Sequence, residues 1–151
     1  MVSFKCMRCG ICCSHLMNIY PNYSFGLYLS PKEIKWFPED SVFPLFRCEN
    51  QIIAYQVGVN ICPNLFFKDS FSFCKIYENR PVSCKSFPLS DFNKIEFGMC
   101  KFTKLNKERA WDLNSFKNEY EGLQQQIDEA EILPQATEMY ILNLKTWIKN
   151  K

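Results

Sequence analysis

The sequence predicts a small α+β domain that is helix-dominated, irregular in its first two thirds and stabilised by metal, with a short β-hairpin and two C-terminal helices. Three observations support this fold class. Nine cysteines lie between residues 6 and 100, residues 51–59 are β-branched and aromatic, and apolar residues recur at helical spacing near the C-terminus. We therefore expect a segment that is held together by metal coordination, followed by a helical segment.

The composition is that of one compact unit. The chain has 151 residues, of which 47% are hydrophobic and 23% are charged. The formal net charge of +2 gives no reason to expect a nucleic-acid partner, so the aromatic residues are assigned to core packing. We divide the chain into a cysteine-cluster metal-binding domain over residues 1–104 and a C-terminal helical segment over residues 105–151 that packs on the same domain.

A first helix is predicted to begin at Pro31. Ser30 can cap its N-terminus, Pro31 suits the first helical position, and Glu33 completes a capping box. Pro38 is expected to end this helix early, because its ring lacks an N–H group and clashes with the preceding turn.

A β-hairpin is predicted next in the chain. Residues 51–59 have the β-branched and aromatic character of a strand, and residues 43–49 are the candidate partner. The following residues, 62–100, are rich in Phe, Pro, Asn and Ser and show no long period. Such a segment buries too little apolar surface to hold itself together, so metal coordination is expected to staple it.

Two helices are predicted in the C-terminal third, over residues 106–131 and 135–150, with a break at Pro134. The second has an apolar stripe of Tyr140, Ile141, Leu144, Trp147 and Ile148. Helical spacing places these side chains on one face. We expect that face to pack on the rest of the domain, and a partner-binding helix is the alternative.

The cysteines are expected to be thiols in a reducing compartment. The N-terminal residues lack the apolar run of a secretory signal, and no stretch approaches the roughly 20 apolar residues of a membrane span. We therefore expect a cytoplasmic protein with no membrane partner, where clustered cysteines bind metal more often than they form disulfides. Disulfide stapling remains open, because hyperthermophile cytosols tolerate disulfides.

The spacing of Cys6, Cys9 and Cys12 is typical of a metal site. Two residues between successive thiolates let a tight turn bring them to one centre. The same run occurs in bacterial ferredoxins, where a remote cysteine followed by proline supplies a further ligand. Cys62 is followed by Pro63 in this way. The pattern therefore predicts a metal site and favours an iron–sulfur cluster.

The number of cysteines indicates two sets of ligands. Cys13 directly follows Cys12, and adjacent side chains of an extended segment point apart, so both are not expected to bind one tetrahedral ion. Eight cysteines make two full sets of four. The candidate metal ligands are Cys6, Cys9, Cys12, Cys13, Cys62, Cys74, Cys84 and Cys100. Cys48 is left over and is expected to be a lone buried thiol.

His15 is the single histidine of the chain. Zinc sites often mix Cys and His, although all-Cys zinc sites are common too. The scarcity of histidine therefore favours an iron–sulfur cluster and leaves zinc as the alternative. His15 itself is a ligand, a proton donor near the cluster or a surface residue. Of the basic residues near the cysteines, Arg80 is expected to be structural and the others solvated.

Three stretches together resemble a known family. They are residues 4–13 with the pattern Cys-x-x-Cys-x-x-Cys-Cys, residues 62–65 with the sequence Cys-Pro-Asn-Leu, and residues 74–88. Over residues 4–100 the sequence is similar to the cysteine-cluster family of zinc- or iron-chelating proteins, also described as iron–sulfur-cluster-containing proteins.

The resemblance implies a set of metal-binding residues and a framework around the last of them. The implied ligands are Cys6, Cys9, Cys12, Cys13, Cys62, Cys74 and Cys84, with Cys100 at a looser later position. The implied framework is Tyr77, Arg80, Pro81 and Phe87-Pro88. The family has no single reaction, so the resemblance implies a cofactor class rather than an activity.

Three functions compete on this basis. The first is a redox or electron-transfer protein that carries a 4Fe–4S cluster. The second is a structural zinc-binding module that presents a surface to a protein partner. The third is an enzyme that uses an open metal position or Cys13 as a reactive thiol, but the sequence shows no carboxylate pair or catalytic triad to support it.

Overall fold

The computed structural model describes residues 1–92 and 94–149, and strands rather than helices organise this part of the chain. The strands are β1 (Val2–Ser3), β2 (Asn18–Ile19), β3 (Ser24–Phe25), β4 (Leu27–Leu29), β5 (Val42–Cys48), β6 (Gln51–Val57), β7 (Leu65–Lys68), β8 (Phe71–Cys74), β9 (Leu89–Asp91), β10 (Lys94–Ile95), β11 (Trp111–Asp112), β12 (Glu138–Ile141) and β13 (Thr146–Lys149). The α-helices are α1 (Val82–Ser86), α2 (Lys101–Leu105) and α3 (Lys117–Glu129). Short 3-10 helices cover Cys12–Ser14, Pro31–Trp36, Glu39–Ser41, Tyr77–Asn79, Leu113–Phe116 and Ala130–Gln135. The prediction of a helix-dominated domain is therefore wrong.

A five-stranded antiparallel sheet is the largest element, with the strand order β13-β12-β5-β6-β4. The predicted hairpin is confirmed as β5 and β6. Glu49 and Asn50 form its two-residue turn, and both have positive φ angles, of 49° and 72°. A left-handed conformation at both turn residues matches the twist of the two strands, so this hairpin forms from local sequence.

The second predicted C-terminal helix, over residues 135–150, is wrong because this segment forms the hairpin β12–β13. Tyr140 pairs with Trp147 across the hairpin, and their ring centroids are 5.3 Å apart. β12 also pairs with β5, where Glu138 and Arg47 form an ion pair. Four residues of the predicted helical stripe, Tyr140, Ile141, Trp147 and Ile148, are aromatic or β-branched, and β5 provides a strand partner for β12, which favours the sheet.

The first predicted C-terminal helix, over residues 106–131, is present only as α3, which ends close to the predicted end. Upstream of it, β11 pairs in parallel with β1, and the Asp112 side chain accepts a hydrogen bond from the N–H of Asn114 at 3.1 Å. Because of these contacts, the helix begins at Lys117 rather than at residue 106. At 13 residues α3 is the longest helix described, and no helix in residues 1–92 and 94–149 is long and apolar enough to cross a membrane.

The helix predicted at Pro31 is a 3-10 helix, Pro31–Trp36, that stops before Pro38. Next to it lies the hydrophobic core formed by Leu16, Leu29, Phe37 and Val57. Two residues of the cysteine-bearing segments, Cys62 and Ile76, pack against this core. The core therefore touches the region where the predicted ligands lie.

Candidate metal centre

The N-terminal cysteine run lies against the hairpin β7–β8. The N–H of Ser72 donates to the carbonyl of Arg8 at 2.8 Å, and the Arg8 guanidinium lies 4.8 Å from the ring centre of Phe73. Arg8 was expected to be merely solvated. Gly10 has a φ of +77°, and a Cβ atom there would lie 2.9 Å from the Phe67 ring. Glycine is therefore required both by conformation and by the close approach of the hairpin.

Cys12 and Cys13 have thiols 4.0 Å apart. The pair was expected to diverge as in an extended segment, but it begins a 3-10 helix, which brings the two sulfurs together. Hydrogen bonding with the Cys13 thiol and with the N–H of Cys13 lowers the pKa of Cys12 to about 7, although burial opposes this shift. The same contact, together with burial, raises the pKa of Cys13.

Cys62 is joined to this pair through the backbone. Its N–H donates to the carbonyl of Cys13 at 2.8 Å. Burial raises the pKa of the Cys62 thiol, whereas hydrogen bonds from the N–H groups of Asn64 and Leu65 lower it. The Asn64 side chain is buried and donates to the carbonyl of Trp36 at 3.0 Å, which ties this turn to the 3-10 helix beside the core.

Cys74 and Cys84 reach the same region from β8 and α1. Cys74 pairs with Leu65 in the hairpin β7–β8, one turn away from Cys62. Burial raises the pKa of the Cys84 thiol, and negative charge on Cys62, Cys12 and Cys74 raises it further. The residues that were expected to be irregular thus contain a hairpin and a short helix that point cysteines toward one another.

A buried carboxylate holds the start of α1. Glu33 is only 7% exposed, and its two oxygens each accept one backbone N–H, from Ser30 and from Val82, both at 2.9 Å. The first contact is part of the predicted capping box. The second joins the 3-10 helix to the helix that carries Cys84, so Glu33 positions this candidate ligand.

Cys6 and Cys100 approach each other because aromatic side chains beside them pack together. Phe4 lies 5.9 Å from Phe102 and 5.0 Å from the fully buried Phe116, measured between ring centroids. Trp111 packs on the same rings at 6.0 and 5.8 Å. These four residues are called the aromatic cluster below. The cluster joins the chain just before Cys6 to the helix that follows Cys100.

The pKa of the Cys6 thiol depends on the other cysteines near it. Partial burial of its sulfur raises the pKa of Cys6, the N–H of Arg8 lowers it through a 3.4 Å hydrogen bond, and the thiols of Cys12, Cys100 and Cys9 raise it again. These thiols therefore lie close enough together for their charges to interact.

The donor atoms fit a metal site in chemistry but are not in ligating positions. Among the described residues, no group of three or more His, Cys, Asp or Glu side chains stands ready to hold a metal ion. All nine cysteines are free thiols, and Cys6, Cys12 and Cys62 accept backbone N–H hydrogen bonds. Such hydrogen bonds are typical of metal-bound thiolates. Metal binding would therefore require the sulfurs to close on the ion.

The remaining candidates lie outside this arrangement. The exposed His15 ring has Nδ1 2.8 Å from the carbonyl of Ile11. Cys48 pairs with Gln51 at the end of the hairpin β5–β6 and is partly exposed, so the prediction of a buried thiol is wrong. Arg80 has the predicted structural role, because its Nε donates to the carbonyl of Tyr77 at 3.0 Å. Its guanidinium lies 4.0 Å from the centre of the same tyrosine ring.

Two groups of residues that support the site were missed by sequence reasoning. The contact of Glu33 with α1 and the aromatic cluster both join segments far apart in the chain. The only local signal was the placement of Phe4 and Phe102, each two residues from a cysteine.

The comparison with known families places the chain in the class of metal-chelating proteins. The chain belongs to the CxxCxxCC family, which is described as a putative zinc- or iron-chelating domain. The family model matches residues 5–109 of the chain. The family predicted from the cysteine motifs is thereby confirmed. No curated protein and no solved structure shows significant similarity to the chain.

Proposed function

We propose that this chain is a cytoplasmic redox protein that holds an iron–sulfur cluster of the 4Fe–4S type through its clustered cysteines. The observation that carries the proposal is the donor set. Cysteines from four segments lie near enough for their charges to interact, backbone N–H groups donate to the sulfurs of Cys6, Cys12 and Cys62, and the one histidine bonds to a backbone carbonyl instead. An all-sulfur set of this kind suits iron–sulfur clusters.

The backbone of the chain would control the charge on the ligands. Hydrogen bonds from Arg8 to Cys6 and from Asn64 and Leu65 to Cys62 stabilise thiolates relative to thiols. A bound iron–sulfur cluster supplies one-electron transfer, with a potential that depends on such hydrogen bonds and on solvent exposure.

The exposure of the ligands suits exchange of electrons with another protein. Cys6 is exposed, whereas Cys84 lies in α1 beside the buried residues Val82 and Ser86. A cluster held by both would be anchored on its protein side and accessible on its solvent side. The partner in this proposal is therefore a redox protein that docks over the N-terminal run.

A structural zinc module is the second candidate, and one observation favours it. The cysteine-bearing segments are short and lie outside the five-stranded sheet, so they gain stability if a metal joins them. In that case four thiolates would close each tetrahedral site, and the exposed surface would serve a protein partner.

Anaerobic purification followed by metal and sulfide analysis separates the two candidates. We expect a coloured protein that contains iron and acid-labile sulfide and loses its visible absorption on reduction. The matched variants are Cys84→Ser, which should lose metal, and Cys48→Ser, which should retain the metal content of the parent. A colourless protein with stoichiometric zinc would support the structural module instead, and a metal-free folded protein would exclude both.

A further inference from the structure

We propose that one face of the hairpin β7–β8 is a docking surface for an acidic protein partner. The surface consists of Phe66, Lys68, Phe71 and Phe73 together with the guanidinium of Arg8, and it is called the hairpin face below. This inference extends the proposed function, on which it rests for the role of the partner, by giving that partner a chemistry and a place to bind.

Strand register places the four hairpin residues of this surface on one side. Phe66 lies directly opposite Phe73, and Lys68 lies directly opposite Phe71. Because side chains alternate along a strand, these four point to the same side and the residues between them point to the other. The other side packs against Gly10 of the N-terminal run, which leaves the hairpin face as the side available to a partner.

The aromatic rings of the hairpin face are partly open to solvent. Phe66 is 40% exposed and Phe71 is 54% exposed. The rings of Phe66 and Phe73 stack with centroids 5.5 Å apart, and the Arg8 guanidinium lies 4.8 Å from the centre of the Phe73 ring. Exposed apolar patches with a polar rim mark interaction sites, and phenylalanine and arginine are enriched in protein interfaces.

The turn of the hairpin presents this face in a fixed conformation. Asp69 and Ser70 form the turn, and both have positive φ angles, of 53° and 69°. Two left-handed residues match the twist of the flanking strands, so the strands are held in register by the turn itself. A surface that is formed before binding loses little conformational entropy when a partner docks.

The charges around the hairpin face are mostly positive. Residues 1–14 and 61–75 contain four cationic side chains and one carboxylate, which are Lys5, Arg8, Lys68, Lys75 and Asp69. All four cations are exposed and, in the part of the chain that the structure describes, none of them forms an ion pair. Half of the 16 carboxylates lie instead in residues 108–138, so the net charge of +2 is unevenly distributed. Charge complementarity therefore favours an acidic partner.

Three other occupants suit the hairpin face less well. A second copy of the chain would bring like charges together. A lipid bilayer would meet the Asp69 carboxylate at the tip of the hairpin, where insertion would strip it of water. A nucleic-acid strand would need free ring faces for base stacking, but Phe66 and Phe73 already stack on each other.

Binding of an acidic peptide to matched variants tests this inference. The probe is a fluorescein-labelled, glutamate-rich peptide with leucine at every third position, and the protein is the full-length chain purified anaerobically, with its metal content measured on the same sample. The test variants are Phe71→Ser and Lys68→Glu. The controls are Leu144→Ser, at a residue that is 52% exposed, and Lys117→Glu, which makes the same charge change at the start of α3.

We expect fluorescence anisotropy to show that Phe71→Ser and Lys68→Glu each weaken peptide binding about fivefold or more, whereas both controls stay within about twofold of the parent. Binding to the parent should also weaken as the salt concentration rises, because salt screens the exposed cations.

A measurement without substitutions locates the binding site even if a test variant loses its hairpin. The peptide should shift the amide resonances of residues 65–74 and Arg8 in the parent. Shifts confined to other parts of the chain would overturn the inference.

The remaining outcomes separate this inference from the proposed function. No peptide binding by a parent that contains metal, or equal weakening by the control variants, would overturn the docking surface and leave the proposed function intact. Tighter binding of oligothymidylate or of phosphatidylserine vesicles than of the peptide, or a parent dimer that Phe71→Ser dissociates, would also overturn it. A metal-free parent that binds the peptide through Phe71 and Lys68 would support the docking surface and contradict the proposed function.

Discussion

Glu33 shows how one buried side chain can position a ligand that lies far away in sequence. Its carboxylate accepts hydrogen bonds from two backbone N–H groups, and the residue is only 7% exposed to water. Both N–H groups would lose their partner if the carboxylate were removed. A buried donor without an acceptor costs about 1–3 kcal/mol.

We expect Glu33→Gln to lower the free energy of unfolding by about 1–3 kcal/mol, because the amide keeps one acceptor oxygen but turns an NH₂ group toward the other N–H. Urea unfolding of the metal-loaded protein measures this change. The same variant should bind metal more weakly, since α1 and Cys84 lose an anchor.

Glu39→Gln is the matched control, because Glu39 is an exposed residue of the 3-10 helix Glu39–Ser41. Its effect should stay within about 0.5 kcal/mol. Equal stability of the two variants would show that the buried carboxylate does not anchor α1.

The hydrogen bonds of Glu33 also show which contacts can be predicted from local sequence and which cannot. Ser30 and Glu33 were recognised as a capping box because its members are three residues apart. The bond from Val82 could not be predicted, because it spans 49 positions and depends on how the segments pack. The cysteine spacing indicated the type of ligand, but only packing shows which cysteines are neighbours.

Among the elements, α3 and α1 make a close contact that depends on a glycine. A Cβ atom on Gly122 would lie 2.7 Å from the backbone carbon of Lys85 and 2.8 Å from the nitrogen of Ser86. Backbone atoms cannot yield as a flexible side chain can. The two helices therefore approach this closely only if residue 122 has no side chain.

We expect Gly122→Ala to destabilise the protein by up to about 2 kcal/mol, because overpacking costs about 1–3 kcal/mol and the gain in helix propensity offsets only about 1 kcal/mol of it. Thermal unfolding measures the loss. Gly98→Ala is the control, since a Cβ atom there meets no atom within 4 Å. A Gly122→Ala variant as stable as this control would contradict the close packing of α3 on α1.

The elements differ in how far sequence predicts them. The hairpin β5–β6 was predictable because its strands and turn are adjacent in the chain. The hairpin β12–β13 was mistaken for a helix because its apolar residues recur at helical spacing. This segment forms strands because β12 pairs with β5, which lies far away in the sequence. That pairing cannot be inferred from residues 135–150 alone.

In the whole molecule, the sheet and the cysteine-bearing segments depend on different interactions. β5 and β6 contain the buried residues Leu45, Ile53, Ala54 and Val57, whereas β7 and β8 contain no fully buried residue among those described. The sheet is therefore stabilised by apolar burial, and the hairpin β7–β8 needs another source of stability.

We expect metal removal to loosen residues 5–14 and 62–86 while the sheet persists. Hydrogen exchange of the metal-free and metal-loaded forms measures this difference amide by amide. Protection should fall in the two cysteine-bearing segments and remain in β5 and β6. A uniform loss of protection over both regions would show that the metal supports the whole fold.

The contact between Phe4 and Phe102 also has a consequence for the order in which the molecule is made. The N-terminal run leaves the ribosome before its partners in the aromatic cluster, which extend to Phe116. At about 5–20 residues per second, Phe116 follows Phe4 after roughly 6–22 seconds. Cys6 is therefore synthesised well before the aromatic side chains that pack beside it, and its thiol remains accessible to other molecules in the cell until Phe116 has emerged.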